Sequence, residues 1–367
     1  MQTAWVFNPY QTWKLDMNKD KVKTFADKVY GDMAGAMAVG MAYVGVKTGL
    51  FRAMQGRGPM QASEIVDATG LQARYVEEWL KGMTASGYLE YDNGADTYLL
   101  PEEHAYLLAS EGTDHFMGGL FYFAVAMLGV APKVAESFRT GGGVRFEEFG
   151  PECVVALDMI NSGQYENRLG SYWLNKLPDV VRRLESGGRV LDFGCGVGRV
   201  GATIAKAFPK CEVVGLDRDP ETIRQARAAA AQAGLGDRIQ FIASTTGEVK
   251  SGEGFDLVTA CDCIHDFSTP GKTLGELRDL VKPDGVLFVA EPRAADRMQD
   301  NIGSIPAMYY GFSIFHCMTQ SLAEGGPGLG TCMGPRRTEE LLRAAGFGSV
   351  EMLDIKSQTN LFYAARP

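Results

Sequence analysis

The chain lacks the features that would assign it to a membrane, to secretion or to a nucleic acid. Acidic residues outnumber basic ones by 45 to 36, and the net charge of −9 disfavours a partner that is bound through its phosphates. The N-terminus has neither the basic region nor the apolar core of a signal peptide. The longest apolar stretch, residues 116–130, is shorter than a membrane span, which favours a buried or interface helix. We expect no nucleic-acid partner and no membrane partner.

Cysteine is present, but without the pattern of a disulfide framework or of a zinc site. The seven cysteines are odd in number and irregular in spacing, which indicates a reducing compartment, so we expect a cytoplasmic enzyme. Cys261 and Cys263 are too close for zinc-site spacing and would point to opposite faces of a strand. Asp300 and Asn301 resemble a magnesium-binding pair but lie well past a strand end. We expect no metal.

The first part of the chain, residues 1–165, predicts a mainly helical domain that ends in connecting helices. A long helix is expected over about 21–51, with Met33, Met37 and Met41 on one face as a core or dimer-interface stripe. Two short helices follow, and then two runs that flank Asp92-Asn93-Gly94, a hairpin signal. A helix-turn-helix followed by a hairpin is a winged helix, which we place over about 45–100.

The charge of this winged helix argues against DNA binding. Between residues 63 and 100, two basic residues stand against seven acidic ones, whereas a phosphate-binding face needs the opposite balance. We therefore interpret the unit as a dimerisation domain.

The second part of the chain, residues 166–367, alternates between strand and helix patterns. Strands are expected at 189–193, 212–217, 239–243, 257–261 and 286–291, with helices between them at about 199–208, 219–233 and 270–281. Such repetition predicts an α/β fold with a Rossmann-like, doubly wound parallel sheet. A helix at about 338–345 precedes two runs, 350–355 and 360–364, which predict a hairpin and hence an antiparallel last strand.

The first strand of this alternation ends in Asp192-Phe193-Gly194-Cys195-Gly196-Val197-Gly198. Alternating glycines turn a strand tightly into a helix and leave the backbone bare for a ligand. A dinucleotide-binding turn has its third glycine three residues after the second, whereas here the gap is two. The carboxylate of Asp192 would repel a pyrophosphate but would suit a ligand that carries an ammonium group.

Further candidate cofactor residues follow the next strands. Asp217, 19 residues after Gly198, is placed to accept hydrogen bonds from two ribose hydroxyls. Ser244 or Thr245, after the third strand, could contact a nucleobase edge, although small polar residues are also ordinary in loops. The predicted cofactor site also includes three other residues of this edge: Cys195, Arg218 and Cys261.

The fourth strand ends in Cys261-Asp262-Cys263-Ile264-His265-Asp266. Ligands of open α/β sheets bind at the carboxyl ends of strands, so His265 stands where a substrate would meet the cofactor. Histidine suits proton removal near neutral pH, and Glu291, after the fifth strand, could orient its ring. The aromatic segment 308–318 and the glycine-rich loop 325–334 predict an acceptor pocket with a mobile cover, or an interface helix.

These motifs resemble the class I S-adenosylmethionine-dependent methyltransferases over residues 165–367. The segment Ile264-His265-Asp266-Phe267-Ser268, together with Val289-Ala290-Glu291-Pro292, is similar to the small-molecule O-methyltransferases typified by plant phenolic enzymes. Their N-terminal winged helix is a dimerisation domain, so this resemblance covers nearly the full length. The stretch after His316-Cys317-Met318 resembles an uncharacterised bacterial branch of the same group.

The resemblance implies a role for each motif. Gly194, Gly196 and Gly198 would lie against the methionine part of S-adenosylmethionine, and Asp217 would take the ribose hydroxyls. His265 would be the general base for a small-molecule methyl acceptor, with Glu291 in support, and the chain would be a homodimer.

The chain departs from the family pattern at two positions. Arg336 stands where a second supporting glutamate is expected, and an arginine near His265 would disfavour its protonated form. Ser244 or Thr245 replaces an adenine-contacting aspartate.

Three alternatives remain open at this stage. An N- or C-methyltransferase would use the same cofactor site through alignment alone. A cofactor-binding regulator without catalysis would use the winged helix on DNA. An NAD oxidoreductase is disfavoured by the glycine spacing.

Overall fold

The structure is a computed structural model that describes residues 18–246, 249, 252 and 254–367. Its first helix, α1 (Lys19–Lys47), is capped by the Asn18 side chain, which accepts the backbone N–H groups of Asp20 and Lys21. The single helix predicted over 21–51 is wrong, because Gly49 adopts a left-handed conformation (φ 76°) and starts a separate helix, α2 (Leu50–Met54).

The winged helix is present as predicted. It consists of α3 (Ala62–Thr69), α4 (Ala73–Ala85) and the hairpin β1 (Glu90–Asp92) and β2 (Thr97–Leu99). The Asp92 side chain closes the turn by accepting the backbone N–H groups of Gly94 and Ala95. A bridge between Met60 and Tyr98 adds a third extended segment to the wing.

Mainly helical segments connect the winged helix to the sheet. They are α5 (Glu102–Leu108), α6 (Gly118–Gly129), α7 (Ala131–Thr140), α8 (Pro151–Gln164), a π-helical segment (Tyr165–Trp173) and α9 (Pro178–Ser186). The predicted interior helix at 116–130 is α6, which packs against α8. A Cβ on Gly119 would lie 2.7 Å from the Ile160 nitrogen, so glycine permits this close packing. The predicted domain boundary at 165/166 falls where α8 gives way to the π-helical segment, and the boundary itself stays a prediction.

The second domain is built on a seven-stranded sheet in the order β5-β4-β3-β6-β7-β9-β8. Its strands are β3 (Arg189–Phe193), β4 (Glu212–Asp217), β5 (Ile239–Ala243), β6 (Phe255–Cys261), β7 (Val281–Pro292), β8 (Ser349–Met352) and β9 (Asn360–Arg366). The first five are parallel, and β9 is antiparallel to both β7 and β8, which confirms the predicted topology.

Helices cover both faces of this sheet. They are α10 (Arg199–Ala207), α11 (Pro220–Gln232), α12 (Pro270–Leu280) and α15 (Pro335–Ala344). Between β7 and α15 the chain inserts α13 (Ser304–Phe312), a π-helical segment (Ser313–Cys317) and α14 (Met318–Ala323). Two buried apolar clusters, one on each face, hold the layers together. The strand order reverses between β3 and β6, where the carboxyl ends of the strands leave a crevice.

Among the described residues, one helix, α1, has the length and composition of a membrane span. The bent pair of α6 and α7 passes the same test only if it is counted as one span. Much of α1 is exposed to solvent, including Met33 and Met37 at 59% each, whereas Met41, the third methionine of the predicted stripe, packs against the core of the winged helix.

Candidate active site

A cavity of about 640 Å³ opens at the carboxyl ends of β3, β4 and β6. Nine of the ten residues predicted for the cofactor line it: Asp192, Gly194, Cys195, Gly196, Asp217, Arg218, Ser244, Thr245 and Cys261. His265 also lines the cavity, whereas Gly198 and Glu291 stand behind its wall. The structure therefore brings the predicted site together in one place.

The three glycines of the turn adopt positive φ angles of 65°, 51° and 84° at positions 194, 196 and 198. A Cβ on Gly198 would lie 2.6 Å from Cζ of Phe241, so this glycine is required for packing. A Cβ on Gly196 would meet nothing within 4 Å, which leaves the backbone there open on the cavity side. Glycine thus serves a different purpose at the two positions.

The carboxylate of Asp217 is half-buried beside this turn. Its Oδ2 accepts the Gly196 N–H at 3.0 Å, and its Oδ1 accepts the Asp219 N–H at 3.0 Å. Burial raises the pKa of Asp217, although these hydrogen bonds oppose the shift. Each oxygen retains a lone pair that a ribose hydroxyl could use.

Asp192 lies below the turn at the end of β3. Its Oδ2 accepts the Gly201 N–H at 2.9 Å, and its Oδ1 accepts the Thr259 hydroxyl at 2.8 Å. Burial raises the pKa of Asp192 to about 7. The carboxylate therefore joins α10 to β6, and its contact with an ammonium group stays a prediction.

The remaining predicted cofactor residues differ in how they are held. The Ser244 N–H donates to the Asp217 carbonyl at 2.9 Å, which ties the β5 end to the β4 end. Arg218 forms an ion pair of 2.5 Å with Glu324, at the end of α14. Burial raises the pKa of the Cys195 and Cys261 thiols, so both are neutral.

His265 and Glu291 are buried against each other. Nδ1 of His265 lies 2.7 Å from Oε2 of Glu291, and Oε1 of Glu291 accepts the Ile264 N–H at 2.9 Å. Nε2 of His265 lies 3.5 Å from Oδ1 of Asp266. Burial disfavours the charged ring, but the two carboxylates outweigh it and raise the pKa of His265 well above its ordinary value.

The expectation that Arg336 lies near His265 is wrong. The guanidinium of Arg336 is exposed and pairs with Glu340 at 2.8 Å, one turn along α15. Residues four apart share one face of a helix, so the side chain follows α15 instead of entering the cavity. Asp266 and Cys317 stand on the Nε2 side of the ring instead.

Asp262, a residue that no sequence motif marks as functional, is held in a strained position at the cavity wall. Its φ is 52°, and it accepts the Tyr165 hydroxyl at 2.8 Å and the Asn360 amide at 2.6 Å. Burial raises the pKa of Asp262 to about 6. A non-glycine residue with positive φ at a strand end is typical of a functional site. No local sequence pattern identifies Asp262, because its partners Tyr165 and Asn360 lie about 100 positions away along the chain.

A second unpredicted contact ties the cofactor edge to the connecting helices. Arg199, at the start of α10, forms hydrogen bonds of 2.7 and 2.9 Å with both oxygens of Asp158 and one of 2.8 Å with Glu166. A bidentate arginine–carboxylate pair fixes direction as well as distance. It holds α8 against the glycine turn.

The other end of the cavity is lined by apolar and aromatic side chains from the connecting helices and from the insertion. They include Leu120, Phe123, Phe146, Ile160, Met308, Tyr309 and Phe312. The predicted pocket role of segment 308–318 therefore agrees with its position. The glycine-rich loop after α14 contacts the site through the Gly330 N–H, which donates to the His265 carbonyl at 3.1 Å.

Within the described residues, one group has the composition of a metal site. Donor atoms of His265, Asp266 and Cys317 lie within 4.8 Å of one another. Burial raises the pKa of the Cys317 thiol to about 11, so the sulfur is protonated here, whereas metals bind thiolate. The two residues that resemble a magnesium-binding pair in the sequence have other partners. Asp300 pairs with Arg297, and the Asn301 side chain forms hydrogen bonds with the Ala295 backbone.

Comparison with known proteins agrees with this geometry. Residues 184–345 match the family model described as a methyltransferase domain. The chain carries a methyltransferase domain. Residues 35–110 match a model described as an Rv2258c-like winged HTH domain. The predicted class, an S-adenosylmethionine-dependent methyltransferase preceded by a winged helix, is confirmed for these segments.

Individual relatives of the methyltransferase domain are distant. The ubiquinone biosynthesis O-methyltransferase of Rhodopseudomonas palustris (strain HaA2) is 33% identical over 107 residues, which are 29% of this chain and 40% of that protein. The chain thus spans less than half the length of the curated relatives that it matches.

Solved structures share the fold over almost the whole chain. Mitomycin 7-O-methyltransferase MmcR is 17% identical with a TM-score of 0.66 and covers 95% of this chain and 100% of that one. Human N-acetylserotonin methyltransferase in complex with SAM is 18% identical with a TM-score of 0.64 and covers 93% and 97%. At these identities the likeness shows the fold alone.

Proposed function

We propose that the chain transfers a methyl group from S-adenosylmethionine to a hydroxyl of a small, flat, apolar molecule. The observation that carries this proposal is the pairing of His265 with Glu291 in the cavity that also holds the glycine turn. The aligned segments cover only part of the curated relatives, so the activity of the whole chain rests on this geometry.

The residues present fit the proposed cofactor. The open backbone at Gly196 suits the amino-acid part, and the remaining lone pairs of the half-buried Asp217 suit the ribose. Asp192 and Asp217 supply negative charge, which suits a ligand that carries ammonium and sulfonium groups. S-adenosylmethionine supplies an activated methyl group whose sulfur leaves uncharged, so no general acid is required on the donor side.

In this proposal the protein aligns the acceptor and removes its proton. Glu291 accepts the Nδ1–H of His265, which leaves the lone pair of Nε2 for the hydroxyl proton once the ring is neutral. A phenol has a pKa of about 10, so a positioned base contributes roughly 10²–10⁴-fold. Because the pKa of His265 is raised, it lies closer to the pKa of a phenol, and the neutral ring is a stronger base.

The lining of the cavity supports a flat, apolar acceptor. Phe123 and Phe312 form an edge-to-face pair with ring centroids 5.0 Å apart, and Tyr309 contacts Phe312. Such walls contact a planar ring on its face and edge without requiring charge. The aromatic end of the cavity, where the acceptor would bind, lies beside His265. The reacting hydroxyl would therefore face the base.

The His265–Glu291 pair favours oxygen over the alternative acceptor atoms. N- or C-methylation by alignment alone would not require a buried base that is oriented by a carboxylate. A regulatory role on DNA is opposed by the acidic balance of residues 63–100.

The exposed face of α1 supports a homodimer. Phe25, Val29, Met33 and Met37, spaced four residues apart, are 48–67% exposed in the single chain. An apolar stripe of this length on a soluble domain marks an interaction surface. All seven cysteines are free thiols, which agrees with the proposed cytoplasmic location.

Binding and turnover together test the proposed function. S-adenosylhomocysteine should raise the melting temperature, and NADH should not. Labelled methyl groups should then pass from S-adenosylmethionine to the hydroxyl of at least one member of a panel of bicyclic phenols. Stabilisation by NADH alone, or transfer only to nitrogen or carbon acceptors, would contradict the proposal.

A further inference from the structure

Asp262, the first residue after β6, carries a carboxylate that lines the cavity and has no role in the mechanism proposed above. Its two hydrogen-bond donors, the Tyr165 hydroxyl at 2.8 Å and the Asn360 amide at 2.6 Å, are both uncharged. Among the described residues, no lysine or arginine forms an ion pair with it. An unpaired carboxylate that is shielded from water costs free energy, so a ligand that brings positive charge to Asp262 would be stabilised.

The surrounding structure fixes both the backbone and the side chain of Asp262. Its φ of 52° lies in the left-handed region, a strained conformation that persists only where neighbouring elements impose it. Its N–H donates to the Ala290 carbonyl at 2.8 Å, which continues the contact between β6 and β7. Tyr165, in the π-helical segment, and Asn360, in β9, hold the carboxylate from two further elements. The charge is therefore preorganised, as an electrostatic contact with a ligand requires.

The position of Asp262 in the sheet indicates which cation it would meet. Its strand, β6, is the direct neighbour of β3, whose end carries the glycine turn. A Cβ on Gly194 would lie 3.4 Å from Sγ of Cys263, so the residues after β6 pack against that turn. The amino-acid part of S-adenosylmethionine would lie at the turn, and its methyl group would face His265. The sulfonium joins these two parts, so it would lie beside the end of β6.

The sulfonium is also the part of the cofactor whose charge differs between donor and product. When the bond between sulfur and the methyl carbon breaks, its electron pair stays on sulfur, and S-adenosylhomocysteine contains an uncharged thioether. The ammonium group is the same in both molecules, so a contact between it and Asp192 would not distinguish them. A carboxylate beside the sulfur attracts the donor and not the product.

We propose that Asp262 selects the charged form of the cofactor, so that the chain retains S-adenosylmethionine and releases S-adenosylhomocysteine after transfer. This inference rests on the S-adenosylmethionine dependence of the proposed function and not on its hydroxyl acceptor. Asp262 is then a specificity-determining residue for the donor. It limits product inhibition, because loss of the sulfonium charge removes the attraction that held the cofactor.

Binding of three cofactor ligands to the full chain, without an acceptor, tests this selection. The ligands are S-adenosylmethionine, S-adenosylhomocysteine and sinefungin, in which a carbon that bears an ammonium group replaces the sulfonium. Calorimetry at about pH 7.5 keeps Asp262 charged, because burial raises its pKa only to about 6. The wild type should bind the two ligands with the additional positive charge at least about tenfold more tightly than S-adenosylhomocysteine.

Variants of Asp262 assign the effect. In Asp262→Asn the left-handed backbone is tolerated, the amide oxygen can keep the Asn360 amide, and the amide nitrogen can donate to the Tyr165 hydroxyl. This variant should lower the preference for the charged ligands about tenfold by weakening those ligands alone. Asp262→Gly, which suits the positive φ, should lose the preference as well. Asp279→Asn removes a charge from an exposed ion pair and should behave as wild type.

Several results would overturn the inference. They are equal affinity of the wild type for all three ligands, an undiminished preference in the two Asp262 variants, or an equal loss of affinity for all three ligands in those variants. The last result would leave Asp262 a purely structural role through Tyr165 and Asn360. Binding of none of the ligands would contradict the proposed function as well. Because the readout is affinity without methyl transfer, failure of O-methylation is detected separately by the turnover assay.

Discussion

The Nδ1 atom of His265 lies 2.7 Å from Oε2 of Glu291, while Oε1 of the same carboxylate accepts the Ile264 N–H at 2.9 Å. The side chain at position 291 therefore has to accept a hydrogen bond at each of its two terminal atoms. A glutamine at this position can satisfy only one of them. This relationship makes Glu291 the positioning residue of the proposed base.

Glu291→Gln is expected to lower kcat by roughly 10²–10⁴-fold. The amide oxygen should stay on the Ile264 N–H, so the amide nitrogen faces Nδ1 of His265. That arrangement favours the ring form with its proton on Nε2, which cannot accept the hydroxyl proton. The measurement is single-turnover methyl transfer, with S-adenosylmethionine affinity as the control. A variant that retains wild-type kcat would remove Glu291 from the mechanism.

The activity of the wild-type enzyme is expected to rise with pH. The carboxylates of Glu291 and Asp266 raise the pKa of His265 well above its ordinary value, against the opposing effect of burial. The ring is therefore protonated at neutral pH and becomes a base only as the pH rises through its raised pKa. A profile of kcat/KM against pH should have its midpoint clearly above 6.5, the ordinary value for histidine. A midpoint below that value would conflict with the geometry.

Binding of S-adenosylmethionine is expected to tighten between about pH 6 and 8. The pKa of Asp192 is about 7 because of burial, so the carboxyl is partly protonated near neutrality, and a bound cation favours its charged form. Asp192→Asn should weaken binding roughly tenfold, because the charged partner is lost. Its melting temperature should change little, because the amide oxygen can keep the Gly201 N–H while the Thr259 hydroxyl accepts from the amide nitrogen. Binding that is independent of pH in the wild type would exclude Asp192 as the titrating group.

Charge added to the exposed apolar stripe of α1 is expected to dissociate the proposed homodimer. Met33→Lys together with Met37→Lys should weaken self-association roughly 100-fold, because the proposed dimer would have to bury ammonium groups in place of two methionine side chains. Light scattering during size-exclusion chromatography gives the mass directly. Thr24→Lys, which adds one charge outside the stripe, is the control. A wild-type chain that is monomeric at all concentrations would end the dimer proposal.

The fold and the cofactor edge could be read from the sequence because their signals are local. Strand patterns that end in Asp192, Asp217 and Cys261 place these residues at one sheet edge, since parallel strands share the direction of their carboxyl ends. His265 follows β6, and Glu291 lies near the end of the neighbouring strand β7, so their pairing required no more than that topology.

The rest of the site depends on packing that no short pattern encodes. Arg336 matches the family position in sequence, but one ion pair with Glu340 directs it along α15 and away from the cavity. Asp262 meets partners that are 97 and 98 residues away, Tyr165 and Asn360. His316 belongs to a segment that the sequence marks only as aromatic, and its position among Phe123, Phe146 and Phe149 depends on packing between distant parts of the chain.

The rate of methyl transfer by His265→Gln relative to wild type, measured across pH with the best phenolic acceptor, tests the central claim most directly. If His265 acts by removing the hydroxyl proton, the variant should be roughly 10²–10⁴-fold slower just above the midpoint of the wild-type pH profile, where the ring is neutral. The deficit should shrink as the pH approaches about 10, where the phenol loses its proton unaided. A full rate just above that midpoint, or a deficit that stays constant at every pH, would contradict the base role and leave His265 only the task of alignment.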